Sequence, residues 1–268
     1  MVIMSNRSCH NDCFRLTGCC GLIMGMANEY SIAYGIAKVL ANCGAKLIFA
    51  VQNERFHQKV ADMNEFKGAE TIICDVAKSG DVEKLFQDIK KSYDSIDFVV
   101  HSIAFSDRKE LQGKYYNTTR ENFLNAMNIS CYSFTEVCRY AKDVMPNGGS
   151  LLTLSYYGAE KVVPNYNVMG VVKAALESST RYLASDLGEF NIRVNAVSAG
   201  PIKTLASSGV GGFSKILEYE QNRSPLNRNV TREDIGKTCA FLLSNLASGI
   251  TGEVLHVDCG CNTVGVKF

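Results

Sequence analysis

Short apolar runs alternate with segments of helical periodicity along the chain, and this alternation restricts the fold more than any other feature. In the first such unit, the apolar run Leu22–Met24 precedes a helix that opens at Ser31 and stops at Gly44, and Lys46–Val51 is the next run. Apolar runs joined by helices predict a parallel sheet covered on both faces. Further strands are predicted at 71–74, 96–102, 150–155, 191–197 and 253–257, and further helices at 119–142 and 231–243. The predicted fold class is therefore α/β, with a doubly wound parallel sheet of about seven strands flanked by helices.

The composition favours one globular domain. The 268 residues include only 4 prolines, and acidic and basic residues are interspersed to give a net charge of +1. This charge balance argues against a nucleic-acid partner or a polybasic membrane patch. No apolar run reaches the roughly 18 residues that span a bilayer. We predict a flexible tail over residues 1–17 and a single dinucleotide-binding catalytic domain over residues 18–268.

The 11 cysteines are scattered, and their odd number in a chain without a secretory signal indicates a reducing compartment, so a cytoplasmic location is predicted. Cys9, His10 and Cys13 could form part of a zinc site, but a second ligand pair at suitable spacing does not follow. We therefore predict no metal.

The Gly25 loop between the first strand and the Ser31 helix would present backbone N–H groups to a pyrophosphate. Its glycine spacing departs from the usual dinucleotide pattern, so the loop alone is weak evidence. At the end of the second strand, Gln52 stands where a dinucleotide fold places its ribose-binding residue. A neutral amide neither requires nor excludes a 2′-phosphate. Asp75, after the third strand, could accept a hydrogen bond from adenine or could cap the following helix.

The stretch from Ser155 to Lys173 carries the candidate chemistry. Pro164 is predicted to open a helix, on which Tyr166, Gly170 and Lys173 share one face, with Tyr166 and Lys173 roughly 10 Å apart along the axis. Gly170 would leave a gap for a flat ligand between a phenol and an ammonium. The plain alternative is a surface lysine with packed tyrosines.

A sharp turn at Gly200–Pro201 follows the sixth strand. Thr204 could bind a carboxamide or a phosphate, or could cap the next helix. Residues 205–221 contain three glycines and are predicted to form a mobile lid.

The strand order and the Tyr166/Lys173 pair resemble the short-chain dehydrogenase/reductase superfamily, whose fold is a Rossmann-type sheet. Within it, five segments are similar to the NADH-dependent enoyl-acyl-carrier-protein reductases of bacteria, and the resemblance covers about residues 18–262. The segments are Ser31–Gly35, His101–Phe105, Leu152–Tyr156, Pro164–Gly170 and Ser198–Ala206. The six residues between Tyr166 and Lys173 are the most specific mark, because the wider superfamily usually has three.

The resemblance implies reduction of the C2=C3 double bond of trans-2-enoyl thioesters on acyl carrier protein by NADH, in a homotetramer. Tyr166 would donate a hydrogen bond to the enolate oxygen, and Lys173 would bind the nicotinamide ribose and lower the pKa of Tyr166. Tyr156 would position substrate or relay a proton. The residues implied to line NADH are Gly25, Ser31, Ile32, Gln52, Asp75, Val76, Ser102, Ile103, Lys173, Ile202, Thr204, Leu205 and Ala206. The residues implied to border the substrate are Ala104, Ser106, Met169 and Phe213.

Two other functions stay open. A ketoacyl or other carbonyl reductase would need a catalytic serine about 13 residues before a tyrosine spaced four from lysine. Thr153 stands 13 before Tyr166, but the four-residue spacing is missing. A dinucleotide-binding regulatory protein without turnover would have no need of both Tyr166 and Lys173.

Overall fold

The computed structural model describes residues 15–205 and 207–266, and its strands form one parallel sheet. The strands are β1 (Cys20–Met24), β2 (Lys46–Val51), β3 (Glu70–Ile73), β4 (Phe98–His101), β5 (Gly149–Ser155), β6 (Ile192–Ala199) and β7 (Val254–Val257). Their order in the sheet is β3-β2-β1-β4-β5-β6-β7. The chain starts at the centre, runs to one edge and then returns to fill the other side, which is the doubly wound arrangement. The predicted fold class is confirmed.

Helices cover both faces of the sheet. They are α1 (Ile32–Asn42), α2 (Glu54–Ala61), α3 (Asp81–Ser92), α4 (Arg120–Met127), α5 (Ser133–Ala141), α6 (Val168–Leu187), α7 (Phe213–Arg223) and α8 (Arg232–Leu243). A five-residue π-helical segment, Asn128–Tyr132, joins α4 to α5. Buried side chains of α1, α2 and α8 form the core on one face, and those of α3, α5 and α6 form the core on the other.

Alternate residues of the central strands enter different cores because successive side chains of a strand point to opposite faces. Leu22 belongs to the core under α6, and its neighbour Ile23 belongs to the core under α1, although both are fully buried. A strand buried on both faces has no polar side, which explains why the strands read as continuous apolar runs.

Several predicted boundaries are confirmed. Strand β2 spans the predicted residues, and α8 ends at Leu243 and is capped by Thr231, whose hydroxyl accepts the Asp234 N–H at 3.1 Å while the Asp234 carboxylate accepts the Thr231 N–H at 2.9 Å. This reciprocal pair is a capping box. Gly44 has φ +90 after α1, as a C′ glycine does.

The predicted tail lies mostly outside the described residues, and the division into tail and domain stays a prediction. At the tail's end, Leu16 is 3% exposed, and its N–H donates to the Cys43 carbonyl at 2.8 Å. Cys9, His10 and Cys13 also lie outside the described residues. Among residues 15–205 and 207–266, no three His, Cys, Asp or Glu side chains are grouped as metal ligands. Within the same residues, no helix has both the length and the apolar character needed to cross a bilayer.

Candidate active site

A cleft of about 1270 Å³ runs along the carboxyl ends of the central strands. This edge is where ligands bind in open α/β sheets. The cleft brings together the predicted site residues that the structure describes, while Ala206 lies outside the described residues. Those lining it are Gly25, Ser31, Ile32, Gln52, Asp75, Val76, Ser102, Ile103, Ala104, Ser106, Tyr156, Tyr166, Met169, Lys173, Ile202, Thr204, Leu205 and Phe213.

Gly25 makes the tight turn at the end of β1. Its φ is +87, and a Cβ there would lie 2.1 Å from the carbonyl oxygen of Ser102, after β4. Only glycine permits this backbone approach without strain. The turn leads the chain to the N-terminus of α1, whose first-turn N–H groups are a site for negative charge.

Ser31 occupies the N-cap position of α1. Its hydroxyl accepts hydrogen bonds from the N–H groups of Ala27 at 3.1 Å and Asn28 at 3.2 Å, so the side chain organises the preceding loop. The predicted position is confirmed, but the hydroxyl holds the loop rather than capping the helix. The first-turn N–H groups of α1 are thereby left to other acceptors.

The far end of the cleft carries Gln52 and Asp75, which follow β2 and β3. The Asp75 carboxylate accepts the Ala77 N–H at 3.1 Å, and α3 begins only at Asp81, after Gly80. The alternative that Asp75 caps this helix is therefore wrong, because a helical cap would have to stand directly before the first turn.

Tyr166 lies in a turn before α6, which corrects the predicted helix start. Asn165 and Asn167 have φ values of +63 and +43, which an α-helix excludes, and α6 begins at Val168. Asparagine tolerates this left-handed region better than most residues. Tyr166 and Lys173 consequently do not share one helical face two turns apart, although both side chains line the cleft.

Gly170 does not leave a gap for a ligand. A Cβ on Gly170 would lie 2.7 Å from the carbonyl oxygen of Gly158, so the short turn Tyr157–Ala159 fills that space with backbone. A Cβ on Gly158 would in turn lie 2.5 Å from the Tyr166 ring. The two glycines allow the turn to pack between α6 and Tyr166, and this contact fixes the position of the phenol.

Lys173 projects from α6 into the buried floor of the cleft. It is 5% exposed, and its Nζ donates to the carbonyl of Leu154 at 2.7 Å. Burial lowers the pKa of Lys173 to about 8, because the ammonium is partly removed from water. Most of the Lys173 side chains are still charged at neutral pH.

The rings of Tyr156 and Tyr166 meet edge to face, and burial raises the pKa of both phenols. For Tyr166, the nearby Tyr156 and Glu177 add to the effect of burial. The expectation that Lys173 lowers the pKa of Tyr166 is therefore wrong for this structure, since desolvation and the neighbouring Tyr156 and Glu177 all raise this pKa. The Tyr166 phenol stays protonated at neutral pH and can act as a hydrogen-bond donor.

On the predicted substrate side, Met169 is buried in the floor, Ala104 is exposed to the cleft and Phe213 begins α7. The Ser106 hydroxyl lies 3.3 Å from Asn122 Oδ1 and accepts from Asn122 Nδ2 at 3.1 Å. Asn122, which sequence reasoning missed, also lines the cleft and is 6% exposed. Its place three residues after Thr119, the N-cap of α4, is the signal that could have revealed it.

The predicted lid contains a short turn, Ser207–Gly209, followed by α7. Thr204 Oγ1 accepts the Ser207 N–H at 3.0 Å, so this threonine caps the short turn while lining the cleft. Asn165 Nδ2 donates to the carbonyl of Gly211 at 2.8 Å. This bond joins the turn that carries Tyr166 to the segment over the cleft. Mobility of the lid stays a prediction.

Thr153 lies away from the cleft, within the core of the sheet. It is fully buried, and its Oγ1 lies 3.2 Å from Nδ1 of His101. Burial lowers the pKa of His101 to about 3, so the imidazole is neutral. Thr153 cannot serve as the catalytic hydroxyl of a carbonyl reductase from this position.

Comparisons with known proteins agree with this arrangement. The family model described as enoyl-(acyl carrier protein) reductase matches residues 25–262. The chain is 50% identical over 251 residues to the enoyl-[acyl-carrier-protein] reductase [NADH] of Rickettsia typhi, covering 93% of this chain and 96% of that protein. It is 53% identical over 248 residues to enoyl-[acyl-carrier-protein] reductase [NADH] 1 of Rhizobium meliloti, covering 92% and 91%.

A solved structure gives the same result. The reductase of Anaplasma phagocytophilum in complex with NAD superimposes with a TM-score of 0.90 at 51% identity, covering 94% of this chain and 97% of that one. The chain therefore belongs to the enoyl-acyl-carrier-protein reductase family of the short-chain dehydrogenase/reductase superfamily.

Proposed function

We propose that this protein reduces the C2=C3 double bond of trans-2-enoyl thioesters held on acyl carrier protein, with NADH as the reductant, in fatty-acid elongation. The observation that carries the proposal is the pairing of a protonated phenol, Tyr166, with a buried ammonium, Lys173, on one cleft. Thr153 is buried in the core, away from the cleft, and this supports enoyl reduction over carbonyl reduction.

The cleft fits a dinucleotide. The Gly25 turn brings backbone close to the N-terminus of α1, where a pyrophosphate would be stabilised. Gln52 and Asp75 offer polar groups at one end for adenosine, and Lys173 offers a cation nearer the other end for a ribose. The remaining contacts would come from Ser31, Ile32, Val76, Ser102, Ile103, Ile202, Thr204, Leu205 and Ala206. When bound, NADH supplies a hydride from C4 of its nicotinamide.

Tyr166 would stabilise the charge that develops on the substrate. Addition of hydride at C3 places negative charge on the thioester oxygen, two bonds beyond C2. A neutral phenol can donate a hydrogen bond to this enolate oxygen, and such a donor aimed at developing charge is commonly a large catalytic contribution. Protonation at C2 completes the reaction.

Lys173 would orient the ribose of the nicotinamide half and keep positive potential beside Tyr166. Within the described residues its Nζ has one hydrogen bond, to Leu154, and an ammonium has three donors. The remaining donors are suited to ribose hydroxyls. Tyr156 would position the substrate or relay a proton.

The acyl group would lie against Ala104, Ser106, Met169 and Phe213, between the floor of the cleft and α7. The apolar side chains of Ala104, Met169 and Phe213 would exclude water from the enolate. This exclusion would strengthen the hydrogen bond that Tyr166 donates. The carrier protein would approach the open side of the cleft.

We also propose that the enzyme is a cytoplasmic homotetramer, following the family resemblance. Exposed apolar side chains on adjoining helices support self-association. Leu124 on α4, Tyr132 in the π-helical segment and Val171 on α6 are 56, 54 and 39% exposed. Light scattering in solution would measure the number of subunits directly.

The activity is tested by following NADH oxidation with trans-2-enoyl thioesters on acyl carrier protein, with 3-ketoacyl thioesters and with NADPH in place of NADH. The proposal predicts turnover with the enoyl thioester and NADH, and little with the ketoacyl thioester. Preferential turnover of the ketoacyl thioester would favour the carbonyl reductase. Tight NADH binding without turnover of either thioester would favour a regulatory protein.

A further inference from the structure

Asn167, the residue directly after Tyr166, has a backbone conformation that asparagine seldom adopts. Its φ and ψ are +43 and −122, whereas Asn191, before β6, has the ordinary left-handed values of +57 and +31. A positive φ with a ψ of about −120 is typical of the first central position of a type II′ turn, where glycine is the usual residue. A side chain in such a conformation costs free energy, which contacts with the rest of the protein have to offset.

The side chain of Asn167 does not cap the helix that follows it. An asparagine at an N-cap usually accepts a hydrogen bond from the first turn through its side-chain oxygen. Among the described residues, Asn167 makes no such bond to α6. Its Nδ2 instead donates to the carbonyl oxygens of Glu110 at 3.0 Å and Gln112 at 3.3 Å, in the loop between β4 and α4. The amide therefore uses both of its N–H groups as donors.

The loop over residues 110–112 is itself fixed in place. The Glu110 carboxylate accepts from the Thr119 N–H at 3.0 Å, from the Thr119 hydroxyl at 2.6 Å and from Asn122 Nδ2 at 3.0 Å. These bonds attach the loop to the start of α4. Leu111 is 5% exposed and belongs to the core under α6. A side chain that binds this loop is thus held against a well-anchored part of the protein.

Asn165 holds the other side of the Tyr166 turn. Its Nδ2 donates to the Gly211 carbonyl in the segment over the cleft, and the Gly211 N–H donates to the Leu111 carbonyl at 3.4 Å. The bonds of the two asparagines therefore join the Tyr166 turn to the segment over the cleft and to the 110–112 loop. Because Tyr166 lies between the two asparagines, a shift of its backbone would break hydrogen bonds on at least one side.

The position of the Tyr166 hydroxyl decides its value as a donor, because a misplacement of about 1 Å can cost about a hundredfold in rate. Tyr166 lies before the first residue of α6, so helical geometry does not set its backbone. The Gly158 turn packs against its ring. The direction in which the ring leaves the chain depends on the backbone at Tyr166 and at its two neighbours.

We infer that Asn167 is a positioning residue for Tyr166, a role that rests on the proposed function. Its side chain, bound to the 110–112 loop, holds the backbone in a strained conformation that directs the phenol into the cleft. The two hydrogen bonds of the side chain offset the strain. Loss of the side chain lets the turn relax and moves the donor away from the enolate oxygen, while the fold and the NADH site remain.

Asn167→Gly and Asn167→Ala separate the strain from the hydrogen bonds. Both variants lose the bonds to the 110–112 loop, but only alanine keeps a Cβ in the strained conformation. Glycine is the more flexible residue in the unfolded chain, so a more stable glycine variant points to strain in the folded protein. The melting temperature of Asn167→Gly should be higher than that of Asn167→Ala by roughly 3 °C or more. Equal melting temperatures would overturn the claim of strain.

Kinetics test the positioning role in the variant without strain. With the enoyl thioester, kcat of Asn167→Gly should fall by about tenfold or more, and the dissociation constant for NADH should stay within about twofold of wild type. Asn191→Gly, at a left-handed asparagine before β6, is the matched control and should keep the wild-type kcat. A wild-type kcat in Asn167→Gly, or a loss of NADH affinity as large as the loss in kcat, overturns the positioning role.

A double variant tests whether Asn167 acts through Tyr166. In a Tyr166→Phe background, Asn167→Gly should lower kcat by less than about twofold further, because no hydroxyl is left to position. A further loss of about tenfold in this background would assign Asn167 a structural role and overturn the proposal. If wild type itself fails to oxidise NADH with the enoyl thioester, the proposed function fails and the positioning role fails with it. Full turnover by both wild type and Asn167→Gly removes the positioning role alone.

Discussion

The ring centroids of Tyr156 and Tyr166 lie 4.9 Å apart, with the ring planes at 78°. This edge-to-face contact places the two phenols of the cleft in direct contact, and both side chains are half-buried. Their environments differ, because the Tyr156 hydroxyl is buried without a hydrogen-bond partner in the described part of the chain. Tyr166 is therefore the proposed hydrogen-bond donor, and the Tyr156 hydroxyl is left available for a hydrogen bond to a ligand.

Replacing Tyr166 with phenylalanine should remove the proposed donor and keep the ring contact. Loss of one donor to an oxyanion costs about a hundredfold to a thousandfold in kcat. The dissociation constant for NADH, measured by fluorescence titration, should change by less than about twofold, because Tyr166 is not assigned to the cofactor. A collapse of NADH affinity with turnover preserved would contradict the role given to the phenol.

Replacing Tyr156 with phenylalanine should stabilise the protein without ligands. An unpaired buried hydroxyl costs about 1–3 kcal/mol, and phenylalanine removes it while keeping the ring. We expect a gain of about 1 kcal/mol in the free energy of unfolding by denaturant titration, together with a lower kcat/KM for the enoyl thioester. A less stable Tyr156→Phe variant would show that the hydroxyl already has a partner.

Binding of NADH should weaken as the pH rises through about 8, the value to which burial lowers the pKa of Lys173. Below this pH the side chain is an ammonium that can donate to ribose hydroxyls, and above it the charge is lost. Lys173→Met should bind NADH weakly at every pH and lose this dependence. Tight, pH-independent binding by Lys173→Met would rule out the ribose role.

Gly170→Ala should disturb both the fold and the site. The added methyl group would meet the Gly158 carbonyl at 2.7 Å, and backbone cannot swing away as a flexible side chain does. We expect a loss of about 1–3 kcal/mol in unfolding free energy and a lower kcat, because the turn that supports Tyr166 is displaced. Gly188→Ala at the other end of α6, where a Cβ meets no atom within 4 Å, is the control and should be neutral.

Asn165→Gly should loosen the segment over the cleft without straining the backbone. Glycine accepts the φ of +63 but cannot donate to the Gly211 carbonyl. Losing a hydrogen bond worth about 1 kcal/mol should speed limited proteolysis within residues 205–212 by about fivefold. Asn191→Gly, at φ +57 before β6, controls for the backbone effect and should leave proteolysis unchanged.

The sheet could be predicted because its signals are local. Apolar runs buried on both faces, such as residues 47–51 of β2, are visible in the sequence, as is the Thr231 cap of α8. The edge of the sheet at which ligands bind then follows from the topology. This is why residues as far apart as Gly25 and Phe213 could be assigned to one cleft.

The geometry around Tyr166 could not be predicted in the same way. In the sequence, the helical periodicity that begins at Val168 can be extended back to Tyr166. The left-handed backbone of Asn165 and Asn167 prevents the helix from beginning before Val168. The Gly158 carbonyl that fills the space at Gly170 comes from a turn whose placement depends on tertiary packing. The pKa of Tyr166 depends on burial among residues distant in sequence, so proximity to Lys173 alone gave the wrong direction.

The central claim is that hydride arrives at C3 of an enoyl thioester while Tyr166 meets the charge on the thioester oxygen. The most direct measurement uses NADH deuterated at the transferred C4 position and locates the label in the product by NMR. The account predicts a saturated acyl thioester with deuterium on C3 and no hydroxyl group formed. Deuterium on a carbon that bears a new hydroxyl group would identify carbonyl reduction and contradict the account.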